Sequence, residues 1–149
     1  MLELTVDKFT FRVPDDRRYS ADGVWVQPVP GVVPARVRLG VTDFVQQRGG
    51  DVTFVHPQPV GTVLRRGDEC AAVETIKVDV SLPSPVAGVV VEVNAALEAN
   101  PETVNQDPYE AGWLVVVEPC AWDADNAALL DAEHYFAVMR DHAEREAES

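Results

Sequence analysis

Short valine-rich runs, broken by Gly, Pro, Asn and Asp, dominate the chain from Tyr19 to about Pro119. Apolar runs bounded by turn residues are the pattern of strands. They fall at Gly23–Val26, Ala35–Val41, Asp51–Val55, Val60–Leu64, Val86–Val93 and Trp113–Val117. The segment Pro28–Pro34 reads as a loop or edge, because proline cannot donate to a sheet ladder. The first eighteen residues, ending in Asp15-Asp16-Arg17-Arg18, read as an extension with one strand. Helix enters at Asn94–Ala99, which must stop before Pro101, and again towards the C-terminus. There Asp123 or Asp125 can cap the run Ala127–Leu130. A further helix from Asp131 carries Tyr135, Val138 and Met139 at i, i+3 and i+4, one apolar stripe that suits packing on a sheet. The acidic tail His142–Ser149 is expected to fray. An internal echo links Pro59–Glu69 with Pro85–Asn94: each is Pro-Val, then Gly, then an apolar run and a turn. Together these signs predict a small, mainly β sandwich with a C-terminal helical segment.

At 149 residues, with 46% hydrophobic and 25% charged content, the chain has the size and balance of one globular domain. No apolar run is long enough for a membrane span. The start, Met1-Leu2-Glu3-Leu4-Thr5, lacks the basic-then-apolar order of a signal peptide, so a cytoplasmic location is expected. The net charge of −13 argues against nucleic acid and suits docking on basic protein surfaces. Cys70 and Cys120 form no disulfide framework and are expected as buried or half-buried thiols. The three histidines show no metal-ligand spacing. No nucleophile–base pair or phosphate loop is visible, which disfavours an independent enzyme.

Lysine is scarce. Of twelve basic residues only Lys8 and Lys77 are lysines, leaving ten arginines. Lys77 follows Glu74-Thr75-Ile76 and precedes Pro85-Val86-Ala87-Gly88 by eight residues. A surface lysine is ordinarily just a solvated charge. An amine on a turn between two similar β units, with Glu three residues before it, instead reads as an acylation site. The Met-Lys-Met context of a biotin carrier is absent.

In its motifs the chain resembles the H protein family of the glycine cleavage system and its lipoate-binding relatives. The resemblance runs from Tyr19 to Met139. It begins with Tyr19-Ser20-Ala21-Asp22-Gly23-Val24-Trp25-Val26 and continues through Leu39-Gly40-Val41-Thr42-Asp43-Phe44, Gln46 and Gly50–Val55. Glu74-Thr75-Ile76-Lys77 stands for Glu-Ser-Val-Lys. The most specific stretch is Asn94-x-Ala96-Leu97, Pro101-Glu102-x-Val104-Asn105 and Asp107-Pro108-Tyr109-x-x-Gly112-Trp113. The resemblance implies a lipoyl/biotinyl-carrier type barrel-sandwich over residues 19–119, after an N-terminal extension at 1–18. A C-terminal helical segment and acidic tail follow at 120–149. It implies a non-catalytic, monomeric carrier with lipoic acid amide-linked to Lys77, attached by a lipoate ligase or lipoyl transferase that uses Glu74 for recognition. Dihydrolipoamide dehydrogenase would reoxidise the arm. Asn105, Asp107, Tyr109 and Trp113 are expected to be turn and core structure, with a role in shaping the loop near the arm as the other reading.

Departures bear on the pathway. The family's His near the start is Gly23, its Leu-Pro after the Phe-Val strand is His56-Pro57-Gln58, and its aromatic before Ser-Pro-Val is Pro83. Pro57 and Pro83 are similar to the lipoate-binding proteins of heterodisulfide-reductase-like sulfur oxidation. The first expectation is therefore a carrier for that complex. The alternative is an authentic glycine cleavage H protein carrying the aminomethyl group, and the second alternative is an unmodified binding module.

Overall fold

The computed structural model describes residues 1–148. In chain order its strands are β1 (Leu2–Val6), β2 (Phe9–Val13), β3 (Arg18–Tyr19), β4 (Val24–Pro28), β5 (Val37–Val41), β6 (Val52–Pro57), β7 (Val63–Leu64), β8 (Glu69–Thr75), β9 (Asp79–Pro83), β10 (Gly88–Val93) and β11 (Val115–Pro119). The helices are α1 (Asp43–Gly49), α2 (Ala96–Ala99), α3 (Thr103–Gln106), α4 (Trp122–Ala128) and α5 (Ala132–Glu148).

Alternation in β4 and β5 decides the layers. Val24, Val26, Val37, Leu39 and Val41 point to one face and Trp25 to the other, since strand side chains alternate. One face of the antiparallel six-stranded sheet, β3-β4-β5-β11-β10-β7, thus packs on the three-stranded sheet β6-β8-β9. The valine core between them takes in Cys70, Val73 and Leu82 from the smaller sheet. The opposite face receives a second cluster built on Tyr19, Trp25, Phe44, Tyr135 and Met139, covered by α5 and by the β1–β2 hairpin. Tyr19 and Tyr135 stack at 4.7 Å. The echo segments meet: β7 and β10 pair antiparallel through Leu64–Gly88 and Val63–Val89.

Several expectations change. The N-terminal extension holds a two-stranded hairpin rather than one strand. A two-residue turn closes it, with Asp7 at φ 54°, the left-handed geometry of primed hairpin turns. Arg17 at its end is buried. Its guanidinium donates to Asp16 at 2.8 Å, to Glu110 at 3.2 Å and to the Tyr109 carbonyl at 2.6 Å, and lies 4.7 Å over Trp25. The Arg17 hydrogen bond holds the Asp16 carboxyl below its usual range.

Towards the C-terminus, neither Asp123 nor Asp125 caps α4; Asp125 sits inside it, buried, and accepts from the Ala87 N–H at 2.8 Å. Asp131 is the residue that caps, taking the His134 N–H at 2.9 Å. On α5 the buried stripe is Ala132, Tyr135, Met139 and Ala143, while Val138 is exposed. Helix continues to Glu148 where the acidic tail predicts fraying, and Ser149 lies outside the described residues. Among the described residues no helix is long and apolar enough to cross a membrane.

Candidate functional site

Lys77 stands at the exposed tip of the turn joining β8 to β9. Thr75 closes this turn. Its N–H donates to the Val78 carbonyl at 3.1 Å, its hydroxyl donates to the same carbonyl, and that hydroxyl accepts the Val78 N–H at 3.1 Å. The turn is also hung from outside. The Lys77 N–H donates to the Gly49 carbonyl at 3.2 Å and the Ile76 N–H to the Asp51 carbonyl at 3.1 Å. Gly49 permits this approach, because a Cβ there would stand 2.6 Å from Thr75 Cγ2.

The α1–β6 connection that supports the turn is itself braced by Asn105 on α3. Asn105 Oδ1 accepts the Val52 N–H at 2.8 Å, and its Nδ2 donates to Gln46 Oε1 at 3.0 Å and to the Gly50 carbonyl at 2.9 Å. Gln46 in turn donates to Asp43 at 2.7 Å. Polar groups with all partners satisfied hold one geometry. Asn105 is therefore more than turn structure: it fixes the platform under Lys77. Sequence reading lacks this signal because the partners lie 53 to 59 positions away.

The other expected residues separate. Glu74 lies on β8 with its carboxylate 2.9 Å from His56 Nε2, and the His56 ring stacks on exposed Phe54 at 6.0 Å. The Lys77 ammonium has no hydrogen bond or ion pair among the described residues. Asp107 closes its own turn, accepting from Ala111 at 3.1 Å and Gly112 at 2.8 Å. Tyr109 ties α1 to the hairpin: its hydroxyl accepts the Asp43 N–H at 3.0 Å and donates to the Arg12 carbonyl at 2.5 Å, and burial raises its pKa. Trp113 is half-buried on the second cluster, with Arg38 5.0 Å over its ring, rather than a full core residue. Cys70 is buried and burial pushes its thiol up to about 12, whereas Cys120 is exposed, contrary to expectation.

Ile76 and Val78, on either side of Lys77, are 69% and 51% exposed. Apolar side chains held in water beside a functional group mark a contact surface. Next to the turn lies a groove of about 610 Å³ lined by Lys77, Val78 and Val80, by Phe44 of α1, by Ala143 of α5 and by Phe9 of the hairpin.

The family model described as Glycine cleavage H-protein matches residues 17–142. The chain belongs to that family. It is 45% identical over 126 residues to the glycine cleavage system H protein of Beutenbergia cavernae, covering 85% of this chain and 95% of that one. Identity to a Thermus thermophilus protein of the same description is 41% over 131 residues, 88% and 98% of the two chains. The crystal structure of a glycine cleavage system H protein from Mycobacterium marinum superposes with a TM-score of 0.73 at 38% identity, covering 83% of this chain and 95% of that chain. Proteins of this family are carriers rather than enzymes and hold lipoic acid as lipoyl-lysine. The mainly antiparallel sandwich with its C-terminal helix is the fold they share.

Proposed function

We propose that Lys77 is the lipoyl-attachment lysine and that the chain is a glycine cleavage H protein whose arm bears the aminomethyl group between partner enzymes. The supporting observation is the Lys77 turn. It presents an exposed amine with no protein partner among the described residues, on backbone held by Thr75, Gly49 and Asp51, which is the geometry an acyl-transferring enzyme needs. Bound there, the dithiolane supplies reversible thiol–disulfide chemistry, which belongs to the cofactor. The residues of this chain hold and present it: Thr75 shapes the turn, Gly49 and Asp51 anchor it, and Asn105 keeps the anchor in place. Tethering raises the effective concentration of the carried group at each partner site. Glu74 with Ile76 and Val78 forms the recognition surface for a lipoate ligase or lipoyl transferase, and dihydrolipoamide dehydrogenase restores the disulfide.

Two observations favour glycine cleavage over the sulfur-oxidation reading. The relatives above are described as glycine cleavage H proteins. The groove beside Lys77 is also lined by Asp7, Asp22, Asp79 and Glu146 against one arginine, Arg48, already paired to Glu146 at 2.7 Å. Acylation removes the Lys77 charge, so the surroundings favour a protonated amine and disfavour a sulfur oxyanion. Pro57 and Pro83, on which the sulfur reading rests, pair with Ala71 and Glu69, at the end of the small sheet away from Lys77. Their place in the sheet sets them apart from the turn that carries the amine.

Co-expression with a lipoate ligase and intact-mass analysis tests the attachment: wild type should gain one lipoyl mass and Lys77→Arg none, with both folded by circular dichroism. A lipoyl adduct on the variant would overturn the assignment. Glycine–bicarbonate exchange with a glycine decarboxylase then tests the pathway. Exchange that depends on Lys77 is expected, and its absence from verified lipoylated protein would return the sulfur reading to the front.

A further inference from the structure

The loop between β4 and β5 and the start of β5 carry a surface that the Lys77 site does not use. From Pro28 to Ala35 there is no charged residue, in a chain that is 25% charged. Pro28, Pro30 and Pro34 stiffen the loop, since proline fixes φ. The Val29 N–H donates to the Arg36 carbonyl at 2.9 Å and closes it at its base. Yet its apolar side chains face water: Pro30 and Pro34 are exposed, and Val33 is 95% exposed. Arg36 and Arg38 follow, two residues apart and so on one face of the sheet, the face that bears Trp25 opposite Gly40. Arg38 lies 5.0 Å over the Trp113 ring. The Nε atoms of both arginines are closed off from water and have no hydrogen-bond partner. Neither guanidinium has an ion pair among the described residues, although acids outnumber bases 25 to 12 and Arg12, Arg48, Arg65 and Arg66 each have a carboxylate partner. Nearby acids do not serve them: Glu118 on β11 pairs with neither, and Asp16 is held by Arg17 at 2.8 Å. Two neighbouring guanidiniums left unpaired in so acidic a molecule point to an anion from outside.

We propose that this loop and the start of β5 dock an acidic segment of a partner protein, with Arg36 and Arg38 taking its carboxylates and Val33 its apolar side chains. A guanidinium stacked on an aromatic face keeps its in-plane N–H groups for bidentate bonds to a carboxylate. A stiff loop loses little freedom when it binds. The apolar tip offers nothing to a free anion, so the occupant is a chain segment. Anionic membranes are held by clusters of about four to eight basic residues, and only two stand here. The net charge of −13 also repels a lipid surface and a second copy of this chain at long range. The place of the surface fits a second contact. Asp22, just before β4, lines the groove beside Lys77, whereas the loop leaves the other end of β4 and β5, at Pro28 and Val37. Roughly 13 Å of strand separates the two ends. A partner held at the loop leaves the Lys77 turn open and keeps that turn at high local concentration. The inference does not rest on attachment at Lys77.

The test titrates the full chain with a fluorescein-labelled peptide of alternating Glu and Leu, read by anisotropy at low salt and by two-dimensional amide spectra. Saturable binding is expected, with shifts at Val29–Arg38 and at the Trp113 indole N–H. Replacing both arginines, Arg36→Gln with Arg38→Gln, should weaken binding about tenfold. Val33→Asp should weaken it in the same direction, at a position too exposed to disturb the fold. Arg140→Gln, which removes an exposed arginine on α5, and Lys77→Arg should both bind as wild type. No saturable binding, equal weakening in Arg140→Gln, or shifts centred on the Lys77 turn would overturn the proposal. So would full displacement by inorganic phosphate at matched ionic strength, which would leave a simple anion site. Tighter binding to phosphatidylserine vesicles than to the peptide, or a dimer that Val33→Asp splits, would also overturn it in favour of a membrane or a second copy. Absence of a lipoyl adduct at Lys77 would overturn the carrier reading and leave this surface standing.

Discussion

Asn105 shows how one side chain can matter to a site it never touches. It makes three hydrogen bonds, to Gln46, Gly50 and Val52, all on the stretch that holds the Lys77 turn. Asn105→Ala leaves the Val52 N–H and the Gly50 carbonyl without these partners, at about 1–3 kcal/mol for a buried group left unsatisfied. Urea unfolding should show that loss. Lipoylation by a ligase should slow in the variant even at temperatures where it stays folded, because the turn is no longer held. The two thiols should part company under an aromatic disulfide reagent. Native protein should release one equivalent, from Cys120, and denatured protein two. Cys70 also sets a pH dependence. Its folded-state pKa is raised, to about 12, so the native state keeps a proton that the unfolded chain gives up at lower pH. Stability conferred by that proton is complete below the ordinary thiol range and is lost as pH rises towards 12. Cys70→Ala should make the alkaline limb of thermal melts across pH shallower, leaving the part that the buried hydroxyls of Tyr19, Tyr109 and Tyr135 contribute in the same direction.

Among the elements, α5 and the hairpin are the least legible in the sequence. The spacing of Tyr135, Val138 and Met139 announces a helix. Which residues it buries depends on the cover above it, and the hairpin with Trp25 and Phe44 draws in Ala143 while leaving Val138 outside. Met139→Ala should cost about 2–5 kcal/mol and Val138→Ala within about 0.5 kcal/mol, compared by denaturant midpoint. The hairpin reads as one strand because the stretch from Asp7 to Val13 sets Asp7, Lys8, Thr10 and Arg12 among its apolar residues. Its two-residue turn needs a positive φ at Asp7, which no Gly or Asn signals. Gly23, by contrast, is a departure that the structure accounts for: it has φ 88°, and a Cβ would stand 2.3 Å from Val45 Cγ2.

For the whole molecule, the net charge of −13 belongs to association rather than to the fold. If partner enzymes present basic surfaces, loading of the carrier should be steered. The KM for the carrier in glycine–bicarbonate exchange should rise several-fold between low and physiological salt, while the rate at saturating carrier stays nearly constant. Most of the molecule is local in origin: strand alternation, Gly and Pro punctuation and the echo of two Pro-Val-Gly units.

The sequence by itself determined the class of fold and singled out Lys77, since strand runs, turn residues and a rare lysine are properties of neighbours along the chain. It also carried the family, through an ordered series of short motifs. Only the tertiary structure decided what surrounds that lysine. The Asn105 brace, the Gly49 approach and the acidic groove all join residues far apart in sequence. Contacts of that kind are set by how sheets, helices and the hairpin stack, and no local pattern encodes them.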